Sequence, residues 1–155
     1  MISQAAQLVG RFLLLIMAVG VTGCSSSPTV GNHDRVGEQA ASVALQQVGT
    51  PYRYGGRSPT GFDCSGLVHY AYASAGLSIP RTTAGQWAQL TPVSDRDMRT
   101  GDLLFFNIDG KMSHVGLYIG NGRFVHAPSS GKRVTVERLD TRYYSKAFIR
   151  AGRPQ

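Results

Sequence analysis

Apolar and small side chains in the first half of the chain recur every three or four positions, which is the spacing of one face of a helix. One such run is followed by Gly49, a common helix stop. A second run begins at Asp63, whose side chain can cap a helix, and ends at Gly76. A third run is shorter. The pattern therefore predicts helices over 34–48, 63–75 and about 82–90.

In the second half of the chain, apolar and polar residues alternate, which is the spacing of strands in a sheet. Gly120-Asn121-Gly122 separates two of these runs and is typical of a tight hairpin turn. Because helices come first and antiparallel strands follow, the pattern predicts an α+β domain with its N-terminal helices packed on an antiparallel sheet of about five strands. The runs that read as strands are 103–106, 114–119, 123–127 and 134–139.

The first two dozen residues are typical of a targeting segment. Arg11 precedes an apolar run over 12–21 that is too short for a stop-transfer helix. The run ends in Val21-Thr22-Gly23-Cys24-Ser25, which resembles a bacterial lipoprotein signal, although an ordinary secretory peptide is the alternative. The resemblance implies cleavage before Cys24, lipidation of that cysteine and, because Ser25 is not aspartate, sorting to the outer membrane. We expect a signal over 1–23, a lipidated tether over 24–37 and a domain over 38–155.

Cysteine content and charge fit this periplasmic address. The chain of 155 residues has two cysteines, so lipidation of Cys24 leaves Cys64 without a disulfide partner, and a lone thiol in an oxidising compartment is buried or reactive.

The formal net charge of +7 falls to +6 once Arg11 leaves with the signal. Eight basic residues lie from Arg123 onward, which suits an anionic partner such as the cell wall or a membrane surface, or is ordinary solvated charge. Nucleic acid is not expected outside the cytoplasm.

Cys64, His114 and His126 form the candidate catalytic set. Cys64 lies at a predicted helix start, and the two histidines lie in consecutive predicted strands. If a three-residue loop pairs Ile119 with Arg123, His126 becomes a diagonal neighbour of His114 on one face of the sheet. A two-residue loop would put the histidines on opposite faces, so the argument depends on register. We expect the second helix to dock on the histidine side of the sheet.

These three residue types suit a thiol nucleophile. A helix start and a nearby imidazole both favour the thiolate of Cys64, and the backbone N–H at that position can stabilise an oxyanion. His114 would take the thiol proton and return it to the leaving amine, while His126 would hold His114 in the useful tautomer. Each residue alone is more often ordinary packing. Zinc is another use of one cysteine and two histidines, but no close-spaced ligand pair is present, so we expect no metal and no cofactor.

Six short motifs follow one another between about Ala41 and Arg150. They are Gly49-Thr50-Pro51-Tyr52-Arg53-Tyr54-Gly55-Gly56, Asp63-Cys64-Ser65-Gly66-Leu67-Val68, Pro80-Arg81, Arg99-Thr100-Gly101-Asp102-Leu103, His114-Val115-Gly116-Leu117-Tyr118-Ile119-Gly120 and Phe124-Val125-His126-Ala127. Together they resemble the NlpC-type papain-like cell-wall peptidases, and among these the small outer-membrane lipoproteins of the Spr kind. A papain-like fold is implied.

The resemblance also implies roles for individual residues. It makes Cys64 the nucleophile, His114 the base and His126 the third polar residue. It places Tyr52 beside the site, where it would help the oxyanion hole, and it places Asp63 and Ser65 in the substrate subsite.

The substrate implied by the resemblance is peptidoglycan, cleaved at an amide bond of its stem peptides. The D-alanyl to meso-diaminopimelate cross-link is preferred, and the γ-D-glutamyl to diaminopimelate bond is the alternative. Two other classes stay open: a wall-binding lipoprotein with a relic site, and an acyl or amide transferase of the same fold. A regulatory or proteolytic partner cannot be read from the sequence.

Overall fold

The computed structural model describes residues 31–155, without the side chains of residues 32 and 33. The predicted signal, the predicted lipidation site at Cys24 and the first half of the predicted tether lie outside the described residues. Four helices occur in the described part: α1 Asn32–Leu45, α2 Cys64–Ser74, α3 Thr83–Gln89 and α4 Arg142–Ala147. None of them is long and apolar enough to cross a membrane. The strands are β1 Arg57–Ser58, β2 Gly61–Phe62, β3 Thr91–Val93, β4 Leu103–Ile108, β5 Lys111–Gly120, β6 Arg123–His126, β7 Thr135–Arg138 and β8 Phe148–Arg153.

Six of the strands form one antiparallel sheet in the order β3-β8-β4-β5-β6-β7, and β1 pairs with β2 in a small separate ladder. The α+β class is confirmed, with one strand more in the main sheet than predicted. The C-terminal strand β8 inserts beside β4, so the sheet is completed by the last residues of the chain.

Helix α1 packs closely against the loop before β4. A side chain at Gly37 would bring its Cβ within 3.0 Å of the Thr100 carbonyl oxygen and 3.3 Å of the Gly101 Cα. The helix begins at Asn32, so the predicted tether boundary at residue 38 falls inside it. It also ends at Leu45, earlier than predicted, and the chain turns at Gly49 with a φ of +91°.

Apolar side chains cover both faces of the sheet. On one face, Val115 and Leu117 of β5 pack with Leu67 and Val68 of α2. On the other face, Phe106 and other aromatic residues pack with α4 and β8. His114 pairs with Phe106 in the ladder and its ring lies 5.9 Å from that of Phe106, so it belongs to the second face. The prediction that α2 docks on the histidine side is wrong, because the helix buries its apolar stripe against the more aliphatic face.

Candidate active site

The thiol of Cys64 reaches the sheet from the first turn of α2. Asp63 caps the helix by accepting a hydrogen bond from the Gly66 N–H at 2.6 Å, which fixes where the helix begins. Cys64 is therefore the first helical residue, and it is half-buried. Its Sγ lies 3.8 Å from Thr83 Oγ1 and 4.0 Å from the Ser113 carbonyl oxygen of β5. Within residues 31–155 no hydrogen bond joins this sulfur to an imidazole.

The two histidines are brought together by the β5–β6 hairpin. His114 Nε2 lies 2.7 Å from His126 Nδ1, and the two rings are nearly perpendicular at an interplanar angle of 79°. His114 is 7% exposed and His126 is fully buried. The prediction that both imidazoles share one face of the sheet is confirmed.

The register that achieves this differs from the predicted one. Gly120, not Ile119, pairs with Arg123, so the turn has two residues. The turn conformation requires positive φ at both positions, 52° at Asn121 and 67° at Gly122. The predicted pairing of Ile119 is wrong because the register shifts between Tyr118 and Gly120, which makes Ile119 the extra residue of a β-bulge.

A two-residue turn without a bulge would place His114 and His126 on opposite faces of the sheet. The unpaired Ile119 brings the two histidines back to one face. Beyond it, Tyr118 pairs with Phe124 and Leu117 pairs with Val125, which sets His126 opposite Gly116. A Cβ at Gly116 would lie 2.6 Å from Phe124 Cδ2 and 3.4 Å from His126 Cβ. The glycine therefore makes room for the ring of Phe124, which lies 4.9 Å from that of His126.

One open cavity of about 540 Å³ joins the thiol to the imidazoles. Tyr52, Cys64, His114 and His126 all line it, whereas Asp63 and Ser65 are not among its lining residues. The other lining residues come from the β4–β5 turn, the loop after β6 and α4. They are Ile108, Asp109, Ser113, Pro128, Ser129, Lys132, Tyr143 and Tyr144.

Comparison with known proteins identifies the family to which this site belongs. Residues 49–153 match the NlpC/P60 family. The chain is a member of the NlpC/P60 family. Murein DD-endopeptidase MepH of Escherichia coli is 37% identical over 145 residues, covering 87% of this chain and 54% of MepH. The bifunctional muramidase/DL-endopeptidase CwlT of Bacillus subtilis is 39% identical over 120 residues, covering 75% of this chain and 36% of CwlT.

Solved structures agree with this assignment. The crystal structure of an NlpC/P60 family protein from Bacillus cereus matches with a TM-score of 0.71 at 34% identity, covering 76% of this chain and 39% of that chain. The family membership and the papain-like fold predicted from the motifs are confirmed. The present chain spans about half the length of MepH and about a third of CwlT.

The centre of this NlpC/P60 site is uncharged at rest. Burial lowers the pKa of His114 to about 4. Burial, with smaller contributions from His114 and Lys132, lowers the pKa of His126 to about 3. Burial also raises the pKa of the Cys64 thiol and outweighs the hydrogen bonds from the Val115 backbone and Thr83. This burial opposes the stabilisation of the thiolate that the helix start predicts.

Behind the NlpC/P60 cavity, Asp63 is held by Arg81. The guanidinium donates to both carboxylate oxygens, at 3.0 and 2.7 Å, and to Ser65 Oγ at 3.0 Å. A further bond from Arg81 reaches the Gly56 carbonyl oxygen at 3.1 Å. Asp63 and Ser65 thus brace the loop before Cys64 against the segment before α3, and their place in a substrate subsite stays a prediction.

Tyr52, in the segment before β1, and Tyr144, in α4, both line the NlpC/P60 cavity. Burial raises the pKa of Tyr52, and the negative charge of Cys64 in its ionised form raises it further. The role of Tyr52 in stabilising the oxyanion stays a prediction. Tyr144 in α4 lies with its Oη 3.4 Å from His126 Nε2. Sequence reasoning missed Tyr144 because α4 spans only six residues, too few to show a helical period.

Half of the basic residues counted from Arg123 onward serve internal contacts. Arg138 pairs with Asp140, and Arg153 Nε donates to Asp102 at 2.8 Å. The guanidinium of Arg150 lies 3.6 Å from the centroid of the Trp87 ring, and Arg133 donates to the Gly49 carbonyl oxygen at 2.8 Å. The basic charge available to a partner is therefore smaller than the composition indicates. Among residues 31–155, no group of three His, Cys, Asp or Glu side chains could hold a metal ion.

Proposed function

We propose that this protein is a cysteine-type endopeptidase that hydrolyses amide bonds in the stem peptides of peptidoglycan. The observation that carries the proposal is the 2.7 Å contact between His114 and His126 in the same cavity as the Cys64 thiol. Relatives whose names describe endopeptidases of the cell wall support the substrate class. A relic site would not need to keep a thiol, two paired imidazoles and an open cavity together.

The proposed reaction begins from a neutral thiol and a neutral imidazole. Because Nε2 of His114 faces His126, Nδ1 is the ring nitrogen left to take the thiol proton. The proton leaves as Sγ attacks the carbonyl carbon, and the Cys64 backbone N–H at the helix start would stabilise the resulting oxyanion. His114 then protonates the leaving amine as the C–N bond breaks. Water hydrolyses the acyl-enzyme, with His114 again acting as base.

For the bond that is cleaved, we propose the cross-link between D-alanine and meso-diaminopimelate. The DD-endopeptidase MepH covers more of this chain than CwlT does, which favours this bond. The γ-D-glutamyl to diaminopimelate bond is the second candidate, and the DL-endopeptidase CwlT supports it.

Digestion of purified sacculi tests both statements. We expect the wild-type protein under reducing conditions to convert cross-linked dimers to monomers, as read by mass, and the Cys64→Ala variant to leave them intact. Truncated stems that end at D-glutamate would instead indicate the second bond. Unchanged muropeptides with retained binding to sacculi would support a wall-binding protein, and new cross-links would support a transferase.

We also propose that Cys24 carries a lipid that holds the protein at the periplasmic face of the outer membrane. The signal-like residues around Cys24 support this address. A lipid anchor would keep the catalytic domain within reach of the wall.

A further inference from the structure

Tyr144 is the last of three side chains joined by hydrogen bonds, after His114 and His126. Its Oη lies 3.4 Å from His126 Nε2, while the other nitrogen of that ring lies 2.7 Å from His114. The Tyr144 ring stands perpendicular to the His126 ring, with 5.5 Å between centroids. Burial, with the charges of Glu137 and Tyr143, raises the pKa of Tyr144 to about 12. Tyr144 thus remains a neutral hydroxyl, able to donate or to accept.

The direction of these hydrogen bonds is determined when His114 takes the thiol proton. Both nitrogens of His114 then carry protons, so Nε2 can only donate, and His126 Nδ1 must accept. A neutral His126 that accepts at Nδ1 carries its own proton at Nε2. That N–H points to Tyr144, whose oxygen must accept it.

We propose that Tyr144 is a positioning residue that holds His126 in the Nε2–H tautomer and thereby stabilises the protonated form of His114. The inference rests on the proposed Cys-His-His mechanism. His126 is fully buried, so without the hydroxyl its Nε2–H would lose a partner that water does not readily replace. The opposite tautomer would direct an N–H at His114, and His114 could not then accept the thiol proton at Nδ1 and keep its bond to His126.

The Tyr144→Phe variant isolates the hydroxyl. The phenyl ring keeps the edge contacts with Phe124 and Phe106, whose centroids lie 5.0 and 5.5 Å from that of Tyr144, so the fold should be preserved. We expect kcat to fall about three- to tenfold with KM nearly unchanged, because one hydrogen bond is lost mainly in the charged state. An unchanged kcat would overturn the proposal, as would a loss confined to KM.

Nitrogen-15 NMR of the histidine rings gives a readout that does not depend on activity. We expect His126 of the wild-type protein in the Nε2–H tautomer, and a measurable share of the other tautomer in Tyr144→Phe. Tyr143→Phe is the matched control, since Tyr143 lies next to Tyr144 and lines the same cavity without bonding to an imidazole, and its His126 tautomer should match wild type. A wild-type His126 in the Nδ1–H form would refute the proposal without any variant.

A double-variant cycle separates this inference from the proposed function. In a His126→Asn background no atom occupies the position of Nε2, so Tyr144→Phe should cause no further loss of turnover. Equal losses in both backgrounds would show that Tyr144 does not act through His126. Failure of the proposed function has a different signature, since the wild-type protein would then leave muropeptides unchanged or Cys64→Ala would retain hydrolysis, while the His126 tautomer would still respond to Tyr144→Phe.

Discussion

At the residue scale, two properties of Cys64 act in opposite directions. Its place in the first turn of α2 favours a thiolate, whereas its burial favours a thiol. Burial is the larger effect. In the proposed mechanism, a neutral thiol makes attack dependent on a base that removes the proton, so the 2.7 Å pair of His114 and His126 would be needed at the moment of reaction and not only to hold a preformed ion pair.

The two histidines should therefore respond differently to substitution. We expect His114→Ala to lower turnover by about a hundredfold or more, since general-base catalysis is lost. His126→Asn should lower it by no more than about tenfold, because an amide oxygen can still accept from His114. Turnover of a stem-peptide dimer checks both, with circular dichroism to confirm folding. Equal losses from both substitutions would favour a shared role such as metal binding.

The lowered pKa values of both histidines also predict how stability depends on pH. In the unfolded chain their pKa returns to the ordinary value of 6.5, against about 4 and about 3 in the fold. Below pH 6.5 the unfolded state binds protons that the folded state does not, so the contribution to stability is complete above pH 6.5 and is lost as pH falls toward 4. Each histidine should change the unfolding free energy by up to about 1.4 kcal/mol per pH unit.

Urea unfolding between pH 7 and pH 5 measures this slope above the range in which most carboxylates titrate. His126→Asn should reduce the slope of unfolding free energy against pH by the contribution of one histidine, up to about 1.4 kcal/mol per pH unit. A slope that is the same in wild type and variant would contradict the assignment of a neutral, buried His126.

At the element scale, the β5–β6 hairpin shows what sequence patterns could and could not predict. Alternation identified both strands, and Gly120-Asn121-Gly122 identified the turn. The number of turn residues was predicted incorrectly because a bulge leaves no mark in the alternation until the partner strand is known. The common face of His114 and His126 was still predicted correctly. A three-residue loop and a two-residue loop with one bulge both set His126 opposite Gly116.

Gly116 on this hairpin should not tolerate a side chain. In Gly116→Ala the new methyl group would meet Phe124 Cδ2 at 2.6 Å and push the ring toward His126 and Tyr144. We expect a loss of about 1–3 kcal/mol in unfolding free energy and a fall in turnover, measured on one protein preparation.

A compensating substitution tests the cause of that loss. Phe124→Leu should restore part of the stability of Gly116→Ala by removing the atoms that the methyl group meets. If the double variant is as unstable as the sum of its single substitutions, the contact with Phe124 is not the reason for the glycine.

At the scale of the whole molecule, long periodic runs were predicted well and short irregular ones were not. The stripes of α1 and α2 were recognised, whereas β8 carries two arginines among its apolar residues and shows no clean alternation. The face on which α2 docks was predicted incorrectly because periodicity shows that a stripe is buried but not what buries it. Cys64 and the two histidines line one cavity even so, and the sulfur lies 4.0 Å from the Ser113 carbonyl oxygen, next to His114 in the chain.

The proposed lipid anchor gives a prediction for the full chain in a bacterial host. Cys24→Ser should move the protein from the membrane fraction to the soluble fraction and abolish incorporation of labelled palmitate. Cys64→Ala is the matched control, since it removes the other cysteine and should leave both properties unchanged. Membrane association that survives Cys24→Ser would show that another part of the chain holds the protein there.

The bulge at Ile119 also determines which changes in this hairpin would separate the two histidines. Removing that single residue would leave the Gly120–Arg123 and Tyr118–Phe124 pairs in place, so His126 would stay opposite Gly116 and on the face of His114. If Ile119 instead paired with Phe124 behind the same two-residue turn, His126 would face the α2 side of the sheet and the site would be lost without a change in any of its residues. Changes in length between the two histidines are therefore compatible with catalysis wherever they leave Gly116 opposite His126.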